Sequence, residues 1–193
     1  EGVVGDGKQR VKKSDAEIRY DIDCMREAGM TEIMISSYHL EEPSSFNLDA
    51  ETRRIGRELE TRGMKANQHH GYAPCLARPG NSRTTLVENL KACIDFSANL
   101  HADHLVLHLG KLEGHYKSMA EEKQAFQSIL DRCGTDAVMD QIAETMREAG
   151  DYARKNNLRI ALENLDAFHH LSNIDQLPEL LKMALEQQIE RSL

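Results

Sequence analysis

Residues 104–110 read HLVLHLG, a short apolar run that is typical of a β-strand buried on both faces. The run comes directly after residues 82–100, where apolar side chains recur at the spacing of a helix. A helix followed by a single buried strand is the repeating unit of a parallel α/β fold. If the chain has this fold, the same step should recur along it.

The step does recur on both sides of this segment. Ser14-Asp15-Ala16-Glu17 has the pattern of a capping box, which predicts the start of a helix, and Gly29 predicts its end. A short strand is predicted directly after it, at 32–36. The remaining predicted elements are a helix at 49–62, a more polar strand at 64–69, a helical region at 118–156 that breaks near Gly134, a strand at 159–165 and a helix at 177–189.

Chain length and net charge limit the number of domains and the kinds of partner that the protein can have. The chain has 193 residues and, with 24 Lys and Arg against 32 Asp and Glu, a formal net charge of −8. This length suits a single domain over 1–193 and falls below the roughly 250 residues of a closed eight-stranded α/β barrel.

Because the charge is negative and no basic block is present, nucleic acid is disfavoured as a partner. No window resembles a membrane span or a signal peptide, so we expect a cytoplasmic protein without a membrane partner.

Two architectures fit alternating helices and strands: an open doubly wound sheet and a (β/α) barrel. Both place ligands at the carboxyl ends of the strands, and polar residues accumulate at those ends in this sequence. The glycine-rich phosphate-binding turn of many doubly wound folds follows none of the predicted strands. The glycine cluster at 2–7 has no strand before it, and we interpret it as a loop.

Strand alternation sorts the polar residues at these ends. In the strand at 104–110 the leucines share one side and should face the helices, so His108 points to the ligand side. Glu163 points the same way by the same rule. In the strand at 64–69, alternation directs one of His69 and His70 inward, whichever register applies. Two imidazoles and a carboxylate suit Zn²⁺ or Mn²⁺. Alternatively, the histidines are solvated strand ends and one of them pairs with Glu163.

Three segments together resemble a known family. Gln68-His69-His70-Gly71-Tyr72, residues 104–110 and Ile160-Ala161-Leu162-Glu163-Asn164 are similar, in order and spacing, to the motifs of xylose-isomerase-like TIM barrels. That family contains sugar and sugar-phosphate isomerases and epimerases, and apurinic-site endonucleases are its structural relatives. The resemblance runs from about residue 16 to residue 164, and it implies a (β/α) TIM-barrel fold.

The resemblance also implies roles for particular residues. A divalent metal ion (Mn, Zn, Mg or Co) would be held by His70, His108 and Glu163, with His69 as the alternative to His70. Glu163 would also be catalytic, in an isomerisation or epimerisation of a ketose or sugar phosphate through an enediolate. The residues expected to bind the substrate are His69, Lys111, His115 and Asn164.

The chain departs from the family pattern toward its C-terminus. The family takes further ligands from three later strands, and none of these is predicted here. Asp166-Ala167-Phe168-His169 has an Asp-x-x-His spelling but follows Glu163 too closely to lie on a separate strand. We therefore expect an incomplete barrel of about four to five parallel strands, whose open edge favours a homo-oligomer. Two other functions stay open: a metal-dependent apurinic-site endonuclease-like phosphodiesterase, and an incomplete barrel that only binds or self-assembles.

Overall fold

A computed structural model describes residues 14–36, 48–71, 83–108 and 118–163. Helices and strands alternate through these ranges, which confirms the predicted α/β class. The predicted helix at 177–189 and the glycine cluster at 2–7 lie outside the described residues. The elements are α1 (Asp15–Glu27), β1 (Glu32–Ser36), α2 (Leu48–Thr61), β2 (Lys65–His70), α3 (Arg83–Asn99), β3 (His104–His108), α4 (Met119–Cys133), α5 (Thr135–Lys155) and β4 (Arg159–Glu163).

Local sequence signals explain where the helices start and stop. The Ser14 hydroxyl accepts a hydrogen bond from the Glu17 N–H at 3.3 Å, and the Ser14 N–H donates to the Glu17 carboxylate at 2.7 Å, so the predicted capping box begins α1. Gly29, at φ +86°, follows the end of that helix, and Gly134, at φ +83°, separates α4 from α5. A residue with a side chain adopts such positive φ values only with strain.

The four described strands form one parallel sheet in the order β1-β2-β3-β4. The pairing of β1 with β2 shifts register between Ile33 and Met34, because β2 carries one extra residue there. Each strand lies beside the next one in sequence, as in a (β/α) barrel. Within the described part of the chain β1 and β4 are the two edges of the sheet, so the strands do not close a barrel.

The core lies between the sheet and the helices. Leu105 and Leu107 of β3 are 0% and 1% exposed and belong to a cluster with Leu90 and Ile94 of α3 and Ile142 of α5. The predicted orientation of these leucines toward the helices is thus confirmed. A second cluster packs Ile33, Ile55, Leu59, Ala66 and Phe96 against one another.

Alternate residues of β3 (Leu105, Leu107) and β4 (Ile160, Leu162) pack into the first cluster, and Ile33 of β1 and Ala66 of β2 pack into the second, so the helices that contact the sheet share one of its faces. A doubly wound sheet would have helices on both faces, and the arrangement is therefore the barrel type. The intervening strand residues point to the opposite face. The helices of the described ranges include no segment with the length and hydrophobicity of a transmembrane span.

Candidate functional site

The last residues of β2 and β4, His70 and Glu163, bring their side chains together on the face opposite the helices. Nε2 of His70 lies 3.3 Å from Oε2 of Glu163. The strands that carry them are not neighbours, because β3 runs between them. His70 pairs with Val106 of β3, whose partner on β4 is Ala161. Glu163 therefore lies two residues further along than the position level with His70, and the two side chains meet diagonally above β3.

The surroundings of His70 favour a neutral imidazole. Its side chain is only 12% exposed, whereas that of Glu163 is 45% exposed. Burial lowers the pKa of His70 below its usual value, and the neighbouring Glu163 carboxylate opposes this shift only in part. The ring is therefore neutral near pH 7, which is the form that can either donate one hydrogen bond to the carboxylate or ligate a metal ion.

The separation of the two atoms also fits two ligands of one metal ion. Bonds of about 2.0–2.2 Å to a tetrahedral Zn²⁺ place neighbouring ligand atoms about 3.4 Å apart, close to the 3.3 Å observed. The chemistry of the pair, one imidazole nitrogen and one carboxylate oxygen, suits Zn²⁺, Mn²⁺ and related ions. Among the side chains that the structure describes, no group of three or more His, Cys, Asp or Glu could hold a metal ion.

The backbone places His108 at the same carboxyl end of the sheet as His70 and Glu163. It is the last residue of β3, and its Cα is the register partner of Glu163. Its side chain lies outside the described part of the structure, and so do Lys111, His115 and Asn164 entirely. The predicted roles of these four residues stay predictions.

His69 lies on the other face of β2, contrary to the expectation that it contacts substrate. Its side chain is 0% exposed, and Nδ1 lies 2.6 Å from Oγ of Ser97 in α3. Its ring also packs against Phe96, with centroids 4.8 Å apart. Successive side chains of a strand point to opposite faces, so the neighbour of a helix-facing His69 must face the ligand side. The alternation left open which histidine joins Glu163, and the structure brings His70 to it.

Two residues that contact or complete the end of β2, Ser97 and Gly71, were not identified from the sequence. Ser97 occupies a core-facing position of α3, and a lone hydroxyl among buried aliphatic residues is the signal that could have revealed it. Gly71, directly after His70, is buried and donates its N–H to the carbonyl of Val106 at 2.9 Å. A Cβ at this position would come within 2.6 Å of Leu105 Cδ1, so the glycine allows β2 to end close against β3.

Comparison with known proteins matches the sequence to one family. A family model described as a xylose isomerase-like TIM barrel matches residues 22–187. No curated protein sequence matches the chain.

Solved structures share the fold at low sequence identity. The chain superposes on a D-allulose 3-epimerase from Methylomonas sp. with a TM-score of 0.63 and 17% identity, covering 90% of this chain and 55% of the epimerase. An L-ribulose 3-epimerase gives 0.60 and 14%, covering 90% and 53%. A xylose isomerase domain protein from Alicyclobacillus acidocaldarius gives 0.55 and 16%, covering 90% and 56%. The chain thus spans slightly more than half the length of each of these structures.

Proposed function

Because the chain belongs to the xylose isomerase-like TIM barrel family, we propose that it carries part of the active site of a divalent-metal-dependent sugar isomerase or epimerase. The observation that carries the proposal is the 3.3 Å approach of His70 Nε2 to Glu163 Oε2. The pair lies at the carboxyl ends of parallel strands, where barrels of this type place their active sites. The chain spans little more than half the length of these structural neighbours, so we propose that it supplies metal ligands and the proton acceptor, which suffice for proton exchange, and that a complete site would add the remaining groups.

His70 and Glu163 would hold the metal ion, and we propose His108 as a further ligand because its strand ends beside Glu163. When bound, a divalent ion supplies a Lewis acid that polarises a carbonyl and fixes neighbouring oxygens of the sugar. The neutral ring of His70 is the form required of a ligand, and its low exposure limits competing water.

Glu163 is the proposed proton acceptor. Its side chain is 45% exposed, so a substrate carbon can approach the carboxylate. With Oε2 directed toward His70, Oε1 would take the proton from the carbon next to the carbonyl, which leaves an enediolate. Return of a proton to the neighbouring carbon gives isomerisation, and return to the opposite face of the same carbon gives epimerisation. The acid that returns it would belong to the rest of the complete site.

The proposed substrate is a ketose or a sugar phosphate. Two of the similar structures are epimerases of the ketoses D-allulose and L-ribulose, and the first of these enzymes has also been solved in complex with D-allulose. We propose that His115 and Lys111 contact a phosphate group and that Asn164 contacts sugar hydroxyls. The net charge of −8 makes a nucleic acid substrate, as in an apurinic-site endonuclease, the weaker alternative.

Proton exchange from solvent tests the proposal. With Mn²⁺ supplied, the chain should incorporate deuterium from D₂O into a ketose next to its carbonyl, and Glu163→Gln should slow this at least about 100-fold because the proton acceptor is lost. Glu88→Gln is the matched control, since Glu88 is an exposed carboxylate that pairs with Lys91 on α3. Cleavage of an abasic oligonucleotide without exchange would favour the endonuclease, and bound metal with neither reaction would favour a chain that only binds or assembles.

A further inference from the structure

A buried chain of hydrogen bonds joins α3 to the end of β2 behind the His70–Glu163 pair. The Ser97 hydroxyl donates to the carbonyl oxygen of Cys93, one helical turn earlier, at 2.7 Å. The same hydroxyl oxygen lies 2.6 Å from Nδ1 of His69. Ser97 and His69 are both 0% exposed, so their polar side-chain atoms must find hydrogen-bond partners within the protein.

The number of protons available to these hydrogen bonds determines which ring nitrogen of His69 carries a hydrogen. A carbonyl oxygen carries no proton, so the proton between Ser97 and Cys93 must be the single hydroxyl proton of Ser97. That hydroxyl can then only accept from His69, and Nδ1 must carry a hydrogen. In the neutral ring Nε2 is therefore the unprotonated nitrogen. The geometry therefore assigns His69 the Nδ1–H tautomer, because the Ser97 hydroxyl has no second proton to donate to Nδ1.

We infer that Ser97, acting through His69, is a positioning residue for the metal-binding pair. His70 lies between two anchored residues: the His69 side chain is hydrogen-bonded to the Ser97 side chain, and the Gly71 N–H donates to Val106 O at 2.9 Å. Since His70 must reach across β3 to meet Glu163, a small rotation at the end of β2 would separate the two ligands. The consequence for metal binding rests on the proposed function, whereas the tautomer and the anchoring of β2 do not.

A matched control is available on α5. Thr145 is also 0% exposed, and its hydroxyl also donates to a carbonyl one turn earlier, that of Gln141, at 2.7 Å. Ser97→Ala and Thr145→Ala therefore each delete a buried hydroxyl from a helix, but only the first removes the oxygen that lies beside Nδ1 of His69. A merely structural role for Ser97 predicts that the two variants behave alike at β2.

The test combines NMR of the full chain with titration of Mn²⁺ alone. In the wild-type chain, ring ¹⁵N spectra of His69 should show a hydrogen on Nδ1, and a hydrogen on Nε2 instead would overturn the assignment. Ser97→Ala should speed hydrogen exchange of the Gly71 amide, while Thr145→Ala should leave it near the wild-type rate. Equal exchange of this amide in both variants would overturn the anchoring role.

Affinity for Mn²⁺ separates this inference from the proposed function. Ser97→Ala should weaken Mn²⁺ binding about tenfold, which is the lower end of the loss caused by substituting residues that orient a metal ligand. Thr145→Ala should change the affinity less than about twofold. His69→Asn keeps a donor near the Nδ1 position and should retain most of the affinity, unlike His69→Leu. Binding that is equal in Ser97→Ala and wild type overturns the positioning role. A wild-type chain that binds no Mn²⁺ counts against the proposed function, and the tautomer and exchange results then decide the anchor alone.

Discussion

His70 and Glu163 meet across an intervening strand: Nε2 of His70 lies 3.3 Å from Oε2 of Glu163, although β3 separates β2 from β4. Strands that are two apart in a sheet lie about 10 Å from each other, so the contact depends on two long side chains that lean over β3. The two side chains must also leave the same face of the sheet. The contact is consequently sensitive to how β2 ends and to the register of β3 and β4.

The end of β2 can be tested with a single methyl group. Gly71→Ala would bring a Cβ within 2.6 Å of Leu105 Cδ1, and Leu105 is fully buried and cannot move away cheaply. We expect the variant to lose about 1–3 kcal/mol of unfolding free energy, as is typical of overpacked cores. Urea denaturation measures this loss.

Gly150→Ala is the matched control for this substitution. Gly150 lies within α5, and a Cβ there meets nothing within 4 Å. Because alanine favours a helix over glycine, we expect a gain of about 0.5–1 kcal/mol. Equal effects of the two substitutions would contradict the close packing described at Gly71.

Acid should weaken the contact between α1 and Arg62, the residue directly after α2. Arg62 donates to both carboxylate oxygens of Asp23, at 2.7 and 3.1 Å, and these bonds lower the pKa of Asp23. A carboxyl whose pKa is lower in the folded chain stabilises the fold above its unfolded pKa, and this stabilisation disappears as the pH falls through the folded value.

Asp23→Asn should therefore be less stable than wild type near pH 6, and the difference should shrink below about pH 4. Thermal unfolding of both proteins across this range gives the comparison. Asp140→Asn, at an exposed position of α5, is the control. A difference that stays constant from pH 6 to strongly acidic pH would show that the Asp23–Arg62 pair does not stabilise the fold through charge.

Self-association is the expected consequence of the sheet edges. In the described part of the chain β1 and β4 each pair with one neighbour only, and unpaired strand edges promote pairing with other chains. We expect dimers or larger species in light scattering coupled to size-exclusion chromatography, with the share of monomer rising on dilution. A monodisperse monomer at all concentrations would contradict this expectation.

Much of the fold could be predicted because its signals are local. The capping box at Ser14, the glycines at 29 and 134, and the alternation around Leu105 and Leu107 each depend on a few neighbouring residues. The limits of strand β2 are harder to predict because the strand is polar. It spans Lys65–His70, whereas the sequence predicts 64–69. That shift by one residue matters, because it makes His70 the last residue of the strand.

The choice between His69 and His70 could not be made from the sequence. Alternation allows either residue to face inward, and no neighbouring residue in the sequence distinguishes one histidine from the other. The outcome depends on the extra residue of β2 at the register shift, after which His69 faces the helices and meets Ser97, 28 residues away in sequence. Such a long-range pairing leaves no periodic signal. In the same way, the diagonal reach of His70 to Glu163 depends on the register of three strands together.

Mn²⁺ binding in a double-mutant cycle tests most directly whether His70 and Glu163 share a cation. Calorimetric titration of wild type, His70→Ala, Glu163→Gln and the double variant should show binding that each single substitution weakens at least about tenfold. The double variant should lose less than the sum of the two single losses, since both residues act on one ion. Glu88→Gln, with thermal unfolding of every variant, controls for general damage. Wild-type affinity in both single variants would contradict the shared site.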